Sequence, residues 1–289
     1  MGVAAGRKPE HDQLRGRNEP VVVVEARHGW RGLGLVDLWS HRELLYFFVW
    51  RDLKVRYRQT LFGAGWAVLQ PVLLMLIFTV SVGRLSGVAP KGVPYPLFAF
   101  AGLVPWTLFA SSLTSASNSL VNAESIITKV YFPRLLLPFA AVGSFLLDFL
   151  IALVVLVLLM VYFGATPSLA VLWLPLFTLF AVVTALGVGT LLAAINVRYR
   201  DVKYVTPFLT QAWMFASPVI YASTLIPSDW QWLYALNPMT GVLEGFRWAL
   251  LGGPRPDGLI LVSGLATVVV FAGALMYFRR TEQTFADVI

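Results

Sequence analysis

Asn122-Ala123-Glu124-Ser125-Ile126-Ile127-Thr128-Lys129-Val130-Tyr131-Phe132-Pro133-Arg134 is a lightly charged island between two long apolar stretches. It is too short and too polar to span a bilayer, yet too apolar for an idle loop. Ile126, Ile127 and Val130 fall at helical spacing, with Glu124 and Lys129 directed elsewhere. Pro133 stops the run, because proline lacks an N–H and crowds the residue before it. Two readings fit. One is a plain connector with Lys129 and Arg134 snorkelling to water. The other is one or two helical turns on the membrane surface that take force from a soluble partner.

The composition narrows the choice. Soluble domains carry about 25% charged residues. This chain of 289 residues carries 13%, is 58% hydrophobic and has a mean hydropathy of +0.73. One core cannot hide that much apolar surface, so the sequence specifies an integral membrane protein. The net charge of +7 is then a matter of placement rather than a nucleic-acid signal. There is no Cys, which excludes disulfides, thiolate catalysis and Cys-based metal sites. His11, His28 and His41 all precede the first apolar span, so no histidine metal site is expected in the membrane. Met1–Pro20 is polar and basic without an apolar core, which predicts disorder and not a signal peptide. Val21–Glu25 reads as a short extended piece.

Leu44–Trp50 is an aromatic-rich apolar run too short to cross, followed by the basic run Arg51–Arg58. On a helical wheel Glu43, Arg51, Lys54 and Arg58 share a side, but Arg42, Asp52 and Arg56 do not. The expectation is an interfacial helix of partial amphipathicity, its cations on anionic lipid or a phosphate-bearing ligand. Simple surface anchoring by the same cations is the alternative.

Six spans are expected: Leu61–Val82 (interrupted at Gln70-Pro71), Pro96–Val121, Leu135–Phe163, Leu169–Ile195, Val205–Tyr221 and Leu259–Phe278. The second turns Ser/Thr-rich after Ala110, which suits close packing or a hydrated wall, and Gly187 and Gly189 are expected packing sites in the fourth. Ile226–Leu251 splits at Asn237-Pro238 into two pieces, neither long enough to cross. With Trp230, Trp232, Tyr234 and Trp248 at interfacial depth, it reads as a re-entrant hairpin. Of the 22 Lys and Arg, only Arg84, Lys91, Arg247 and Arg255 fall outside when both ends of the chain are inside. The other eighteen make a strong positive-inside bias.

Asp148 is the one acid well inside an apolar span. It is open to a role in ion coupling, or to a structural one met by Ser or Thr from a neighbouring helix. No Gly-Lys pair occurs, so a Walker-type phosphate loop is absent from the sequence.

Four stretches together resemble the membrane subunits of type-2 ABC exporters for bacterial polysaccharides such as O-antigen, capsular polysaccharide and teichoic acid. They are Leu44–Gln70, with Trp50-Arg51-Asp52-Leu53-Lys54-Val55-Arg56-Tyr57 and Gly63-Ala64-Gly65-Trp66; Asn122–Arg134; Asn196–Asp201; and Asn237-Pro238-Met239-Thr240 through Arg247. The resemblance covers the chain from about residue 39 onward. It implies an all-α membrane fold: a tail over 1–36, an interface helix over 37–60, and a six-helix permease domain over 61–289 with a cytoplasmic coupling helix and an extracellular hairpin.

It also implies function. Two copies of the chain would pair with two copies of a separate ATP-binding subunit, which holds ATP and Mg and in some exporters carries a carbohydrate-binding domain. This chain would be no enzyme and would bind no cofactor or metal. The coupling helix would dock through Asn122, Glu124, Ile127, Lys129, Tyr131, Phe132, Pro133 and Arg134. Arg51, Lys54, Arg56 and Arg58, with Arg198, Arg200 and Asp201, would form a cytoplasmic gate meeting a lipid-linked glycan's pyrophosphate. Trp66, Phe78, Phe208, Trp213 and Phe215 would line a channel between protomers, the alternative for each being lipid or core packing. Trp230, Asn237, Pro238, Glu244 and Arg247 would form the hairpin. The expected location is a bacterial plasma (inner) membrane. Rival readings are a type-2 permease for lipids or drugs, an ATP-independent transporter using Asp148, and a lipid-linked glycosyltransferase, which would need an acid cluster that the sequence lacks.

Overall fold

The computed structural model describes residues 35–58, 63–83, 90, 92–252, 258–282 and 285. The expectations for Met1–Pro20 and Val21–Glu25, and the loop cations Arg84, Lys91 and Arg255, lie outside them. Among the described residues all regular structure is helical, with no strand. Helices α1 (Leu35–Ser40) and α2 (Arg42–Tyr57) precede α3 (Trp66–Ser81), α4 (Tyr95–Asn122) and the single turn α5 (Glu124–Ile127). Then come α6 (Leu136–Gly143), α7 (Leu146–Tyr162), α8 (Leu174–Arg198), α9 (Val202–Phe215), α10 (Ser228–Ala235), α11 (Pro238–Leu251) and α12 (Leu259–Thr281).

Four stretches are long and apolar enough to cross a membrane: Tyr95–Asn122, Leu136–Tyr162, Leu169–Arg198 and Leu259–Thr281. They match the second, third, fourth and sixth expected spans. The other two are short. α3 has 16 residues, about 24 Å of helix, and α9 has 14, about 21 Å, against a hydrocarbon core of about 30 Å. α9 stops at Phe215, and the chain continues without helix through Ala222. Pro218 disfavours a helical Ser217, which contributes to that stop.

One local expectation needs correction. The first span is not interrupted at Gln70-Pro71: α3 runs through Pro71. The proline sits in the second helical turn, where its missing N–H forfeits a single bond to the first turn. The third span stands as one stretch, Leu136–Tyr162. Its helix turns at Ser144-Phe145 between α6 and α7, where Arg56 reaches in to Ser144.

α4 is the central helix and packs against α3, α6, α7, α8, α9 and α11. It is the least apolar of the four spanning stretches, yet over three-quarters of its most apolar window is buried, against under a third for each of the others. In lipid this inversion is sound, because the helices facing hydrocarbon must be the most apolar ones. The packing expectation for the fourth span holds. A Cβ on Gly187 would stand 3.0 Å from Phe271 Cα of α12, and one on Gly189 2.7 Å from Ala116 Cβ of α4. Small residues at these points let the backbones approach closely.

A second core gathers at one end of the molecule. Phe48 of α2, Leu120 of α4, Ile127, Phe132, Leu136 of α6, Val197 of α8, Phe278 of α12 and Phe285 bury one another there.

Candidate coupling and substrate-side sites

The Asn122–Arg134 segment contains one helical turn, as expected, but not the expected face. Helix α5 ends at Ile127, so Val130 does not share its face: Ile127 is buried while Val130 is exposed. Asn122 is the last residue of α4. Asn122, Glu124, Ser125, Thr128, Lys129, Val130 and Tyr131 are exposed, and Tyr131 is 86% so. Phe132 turns inward at 7% exposure and meets Phe48 edge-on, ring centroids 5.5 Å apart. Pro133 is half-buried behind it.

Arg134 is tied inside the chain. Its backbone N–H donates to Glu282 Oε1 at 3.3 Å, its guanidinium donates to the Glu282 carbonyl, and it lies over the Phe285 ring. Arg279 holds the other Glu282 oxygen at 3.2 Å. Glu124 faces Arg200 at 4.0 Å, both exposed, a geometry worth little in stability. The segment therefore touches α2, the α8–α9 turn and the end of α12, while its exposed residues form a rim interrupted by the buried Ala123 and Ile127.

The four candidate cations at the end of α2 divide. Arg56 pairs with Asp148 at 2.9 Å, donates to Ser144 and stacks 3.5 Å from the Phe145 ring centroid. The Tyr57 hydroxyl donates to the other Asp148 oxygen. Burial, then this bond to the carboxylate, pushes the Tyr57 phenol up to about 12. Asp148 lies in the first turn of α7, where the exposed N–H ends of the helix favour an anion. Arg51 folds onto its neighbour Asp52 at 2.9 Å and over Phe48. Lys54 and Arg58 remain exposed, Lys54 over Trp50. Asp52 and Arg56, which fell off the basic stripe of the helical wheel, are among the half-buried residues of the helix. Tyr46, Phe47, Trp50 and Val55 are exposed.

In the last turn of α8, Asn196 is buried and its amide donates to Ser117 O at 2.9 Å and to Asn118 at 3.2 Å. Arg198 and Lys203 lie over their neighbours Tyr199 and Tyr204. Asp201 stands at the N-terminus of α9.

The channel candidates part company. Phe208 and Phe215 of α9 and Trp66 of α3 are exposed. Phe78 packs against the core. Trp213 meets Phe109 edge-on at 5.0 Å and donates its indole N–H to Asn237 at 2.9 Å. On the α4 surface, Thr107, Ser111, Thr114, Ser115 and Asn118 form a half-exposed polar stripe at helical spacing.

The helix pair after α9 breaks where expected, with Asn237 capping α11 through Met239 N and Pro238 as its first residue. Asn237 also donates to Ser217 at 2.8 Å. Trp230 is exposed on α10, and Glu244 lies half-buried one turn before Arg247. Arg247 is 8% exposed and serves the non-helical backbone after α9. It donates to Pro218 O at 2.6 Å, Val219 O and Tyr221 O, over the Phe98 ring at 3.7 Å. Tyr95 supplies Ile220 O at 3.0 Å. Four consecutive carbonyls of an unwound segment thus find donors inside the protein. Tyr95, Ser144 and Ser217 are residues that sequence reasoning did not single out. Only the Ser217-Pro218 pair carried a local signal, that of a helix stop.

The sequence profile of the ABC-2 type transporter family matches residues 43–251. The O-antigen export system permease protein RfbA of Myxococcus xanthus is 30% identical over 258 residues, covering 88% of this chain and 98% of its own. A Klebsiella pneumoniae protein of the same name is 28% identical over 86% and 95% of the two chains. The polysialic acid transport protein KpsM of Escherichia coli is 26% identical over 80% and 91%. The profile runs from the start of α2 to the end of α11 and takes in most of the residues just described, though not Arg279, Glu282 and Phe285, and this chain belongs to the ABC-2 type transporter family.

Proposed function

We propose that this chain is the transmembrane subunit of an ATP-driven exporter that moves a polysaccharide, lipid-linked at its end, out of the cytoplasm. The observation that carries the reading is the near end-to-end likeness to permeases named for O-antigen export and polysialic acid transport. Two copies form the path, and a separate subunit binds ATP and Mg. Six crossings leave both ends in the cytoplasm, α3 and α9 being the two short ones, and α10–α11 re-enter from outside. A long polar polymer cannot partition into lipid, so its route must be lined by protein.

The ATP-binding subunit docks on the exposed rim from Asn122 to Tyr131. Closure of that subunit presses the rim, and three contacts pass the displacement on: Phe132 to Phe48, Glu124 to Arg200, and Arg134 to Glu282. Lys54 and Arg58, exposed on α2, meet the pyrophosphate with charge-assisted hydrogen bonds. Arg56 has a different task, because Asp148 already holds it. That pairing also supports a structural role for Asp148 over proton coupling.

The test is co-expression with the ATP-binding subunit encoded nearby, with Glu124→Ala/Tyr131→Ala as the variant. Joint purification and ATP hydrolysis, both weakened in the variant, are expected. A stable chain that captures no such subunit would overturn the reading.

A further inference from the structure

Beside the Arg56–Asp148 pair lies a pocket of about 270 Å³, walled by α3, α4, α7 and the end of α2. Three helices contribute in turn-spaced sets. Trp66 and Gln70 stand one turn apart on α3, Thr107 and Ser111 one turn apart on α4, and Phe145, Asp148 and Phe149 follow along the start of α7. Trp66 is 50% exposed. The Gln70 amide and the Ser111 hydroxyl make no side-chain hydrogen bond among the described residues. Thr107 uses its proton on Val104 O at 3.0 Å and keeps its lone pairs. Each Asp148 oxygen receives one donor and has room for another.

The charges on this wall cancel. Arg56 is matched by Asp148 at 2.9 Å, and among the described residues no other charged side chain lines the pocket. A phosphate placed here would sit against a carboxylate with no spare cation. The ligand that fits is uncharged, with one apolar face for an aromatic ring and a rim of hydroxyls for an amide, two alcohols and a carboxylate. We propose that this pocket is a subsite for a single neutral pyranose ring of the transported glycan, stacked on Trp66 and hydrogen-bonded by Gln70, Ser111 and Asp148. It rests on the reading of the protein as a polysaccharide exporter. It separates sugar recognition from pyrophosphate recognition, which belongs to Lys54 and Arg58 outside the pocket. Convergent polar groups in a mostly apolar cleft are the usual form of such sites.

The experiment uses the full chain in lipid nanodiscs and saturation-transfer NMR. The probes are methyl α-D-mannopyranoside, methyl α-D-glucopyranoside and methyl α-D-galactopyranoside, with inorganic pyrophosphate as competitor. Transfer to at least one glycoside is expected. It should fall about tenfold in Gln70→Ala/Ser111→Ala, as losing two hydrogen bonds implies, and pyrophosphate should not displace it. Ser111→Leu, which fills the space, should abolish transfer while the thermal midpoint holds. No transfer to any glycoside, equal transfer to the variants, or displacement by pyrophosphate would each overturn the subsite. Capture of the ATP-binding subunit is read separately. Capture without glycoside transfer sinks the subsite and leaves the exporter; transfer without capture sinks the exporter and leaves a sugar site.

Discussion

Phe132 and Phe48 lie 84 residues apart in the chain and meet edge-on, their ring centroids 5.5 Å apart. The contact joins the exposed rim of the coupling segment to the interface helix. Phe132→Ala empties a buried aromatic site, and large-to-small changes of this kind cost about 3 kcal/mol. The expected result is a lower thermal midpoint together with ATP hydrolysis that no longer drives glycan export, while the exposed Tyr131 still captures the partner. Export assayed beside ATPase activity in proteoliposomes checks this; unchanged export would remove the contact from the coupling path.

Arg56 and Asp148 should behave as a unit. Arg56→Ala strands a half-buried carboxylate and Asp148→Asn strands a guanidinium, each at a cost of about 2 kcal/mol for a partly screened pair. The double variant should lose less than the sum of the two, because contacting charges are coupled. A double-mutant cycle on thermal unfolding in detergent measures the difference, and strict additivity would contradict the pairing.

Tyr57 gives the same cluster a pH signature. Its folded phenol is pushed up to about 12 from an ordinary value of 10.0. A folded value above the unfolded one favours the neutral phenol in the native state. Its contribution is therefore complete below pH 10 and is lost as pH rises through 12. The stability gap between the wild type and Tyr57→Phe should be constant below pH 10 and shrink above it. A gap that widened instead would mean the ionised phenol is the favoured form.

Arg247 supplies donors to Pro218, Val219 and Tyr221. Arg247→Leu leaves those carbonyls without partners, and each orphaned group costs about 1–3 kcal/mol. Folded yield should collapse. Arg247→Lys should fall between, since an ammonium cannot span three carbonyls as a planar fork does. Size-exclusion profiles of the three proteins separate these outcomes.

Gly102 makes a related prediction. An added Cβ would stand 2.4 Å from Val219 O and 2.7 Å from an Arg247 nitrogen. Gly102→Ala should destabilise by about 1–3 kcal/mol, as overpacking does, and its effect should not add to that of Arg247→Lys. Thermal midpoints of the single and combined variants test both points.

These residues also mark where the sequence stopped being legible. The bounds of α4, α8 and α12 follow from long apolar runs, and the Asn237-Pro238 break follows from local capping chemistry. Both signals act within a few residues. The break between α6 and α7 is met by Arg56, which is 88 residues from Ser144. The donors for the unwound segment come from Arg247 and Tyr95, the latter 125 residues from the carbonyl that it serves. Nothing near Ser144 or Ile220 announces those partners. Arg134 illustrates the same limit: its charge and position suit a docking residue, and only the fold brings Glu282 against it.

The inverted polarity of α4 bears on how the protein is made. The helix at the centre is the one that a bilayer holds least firmly alone, and its strongest partner, α8, is synthesised about 50 residues later. A nascent chain ending after Asn122 would leave α4 loosely seated, and a chain ending after Arg198 would hold it. α4 is therefore the span whose seating in the membrane should depend most on helices made after it.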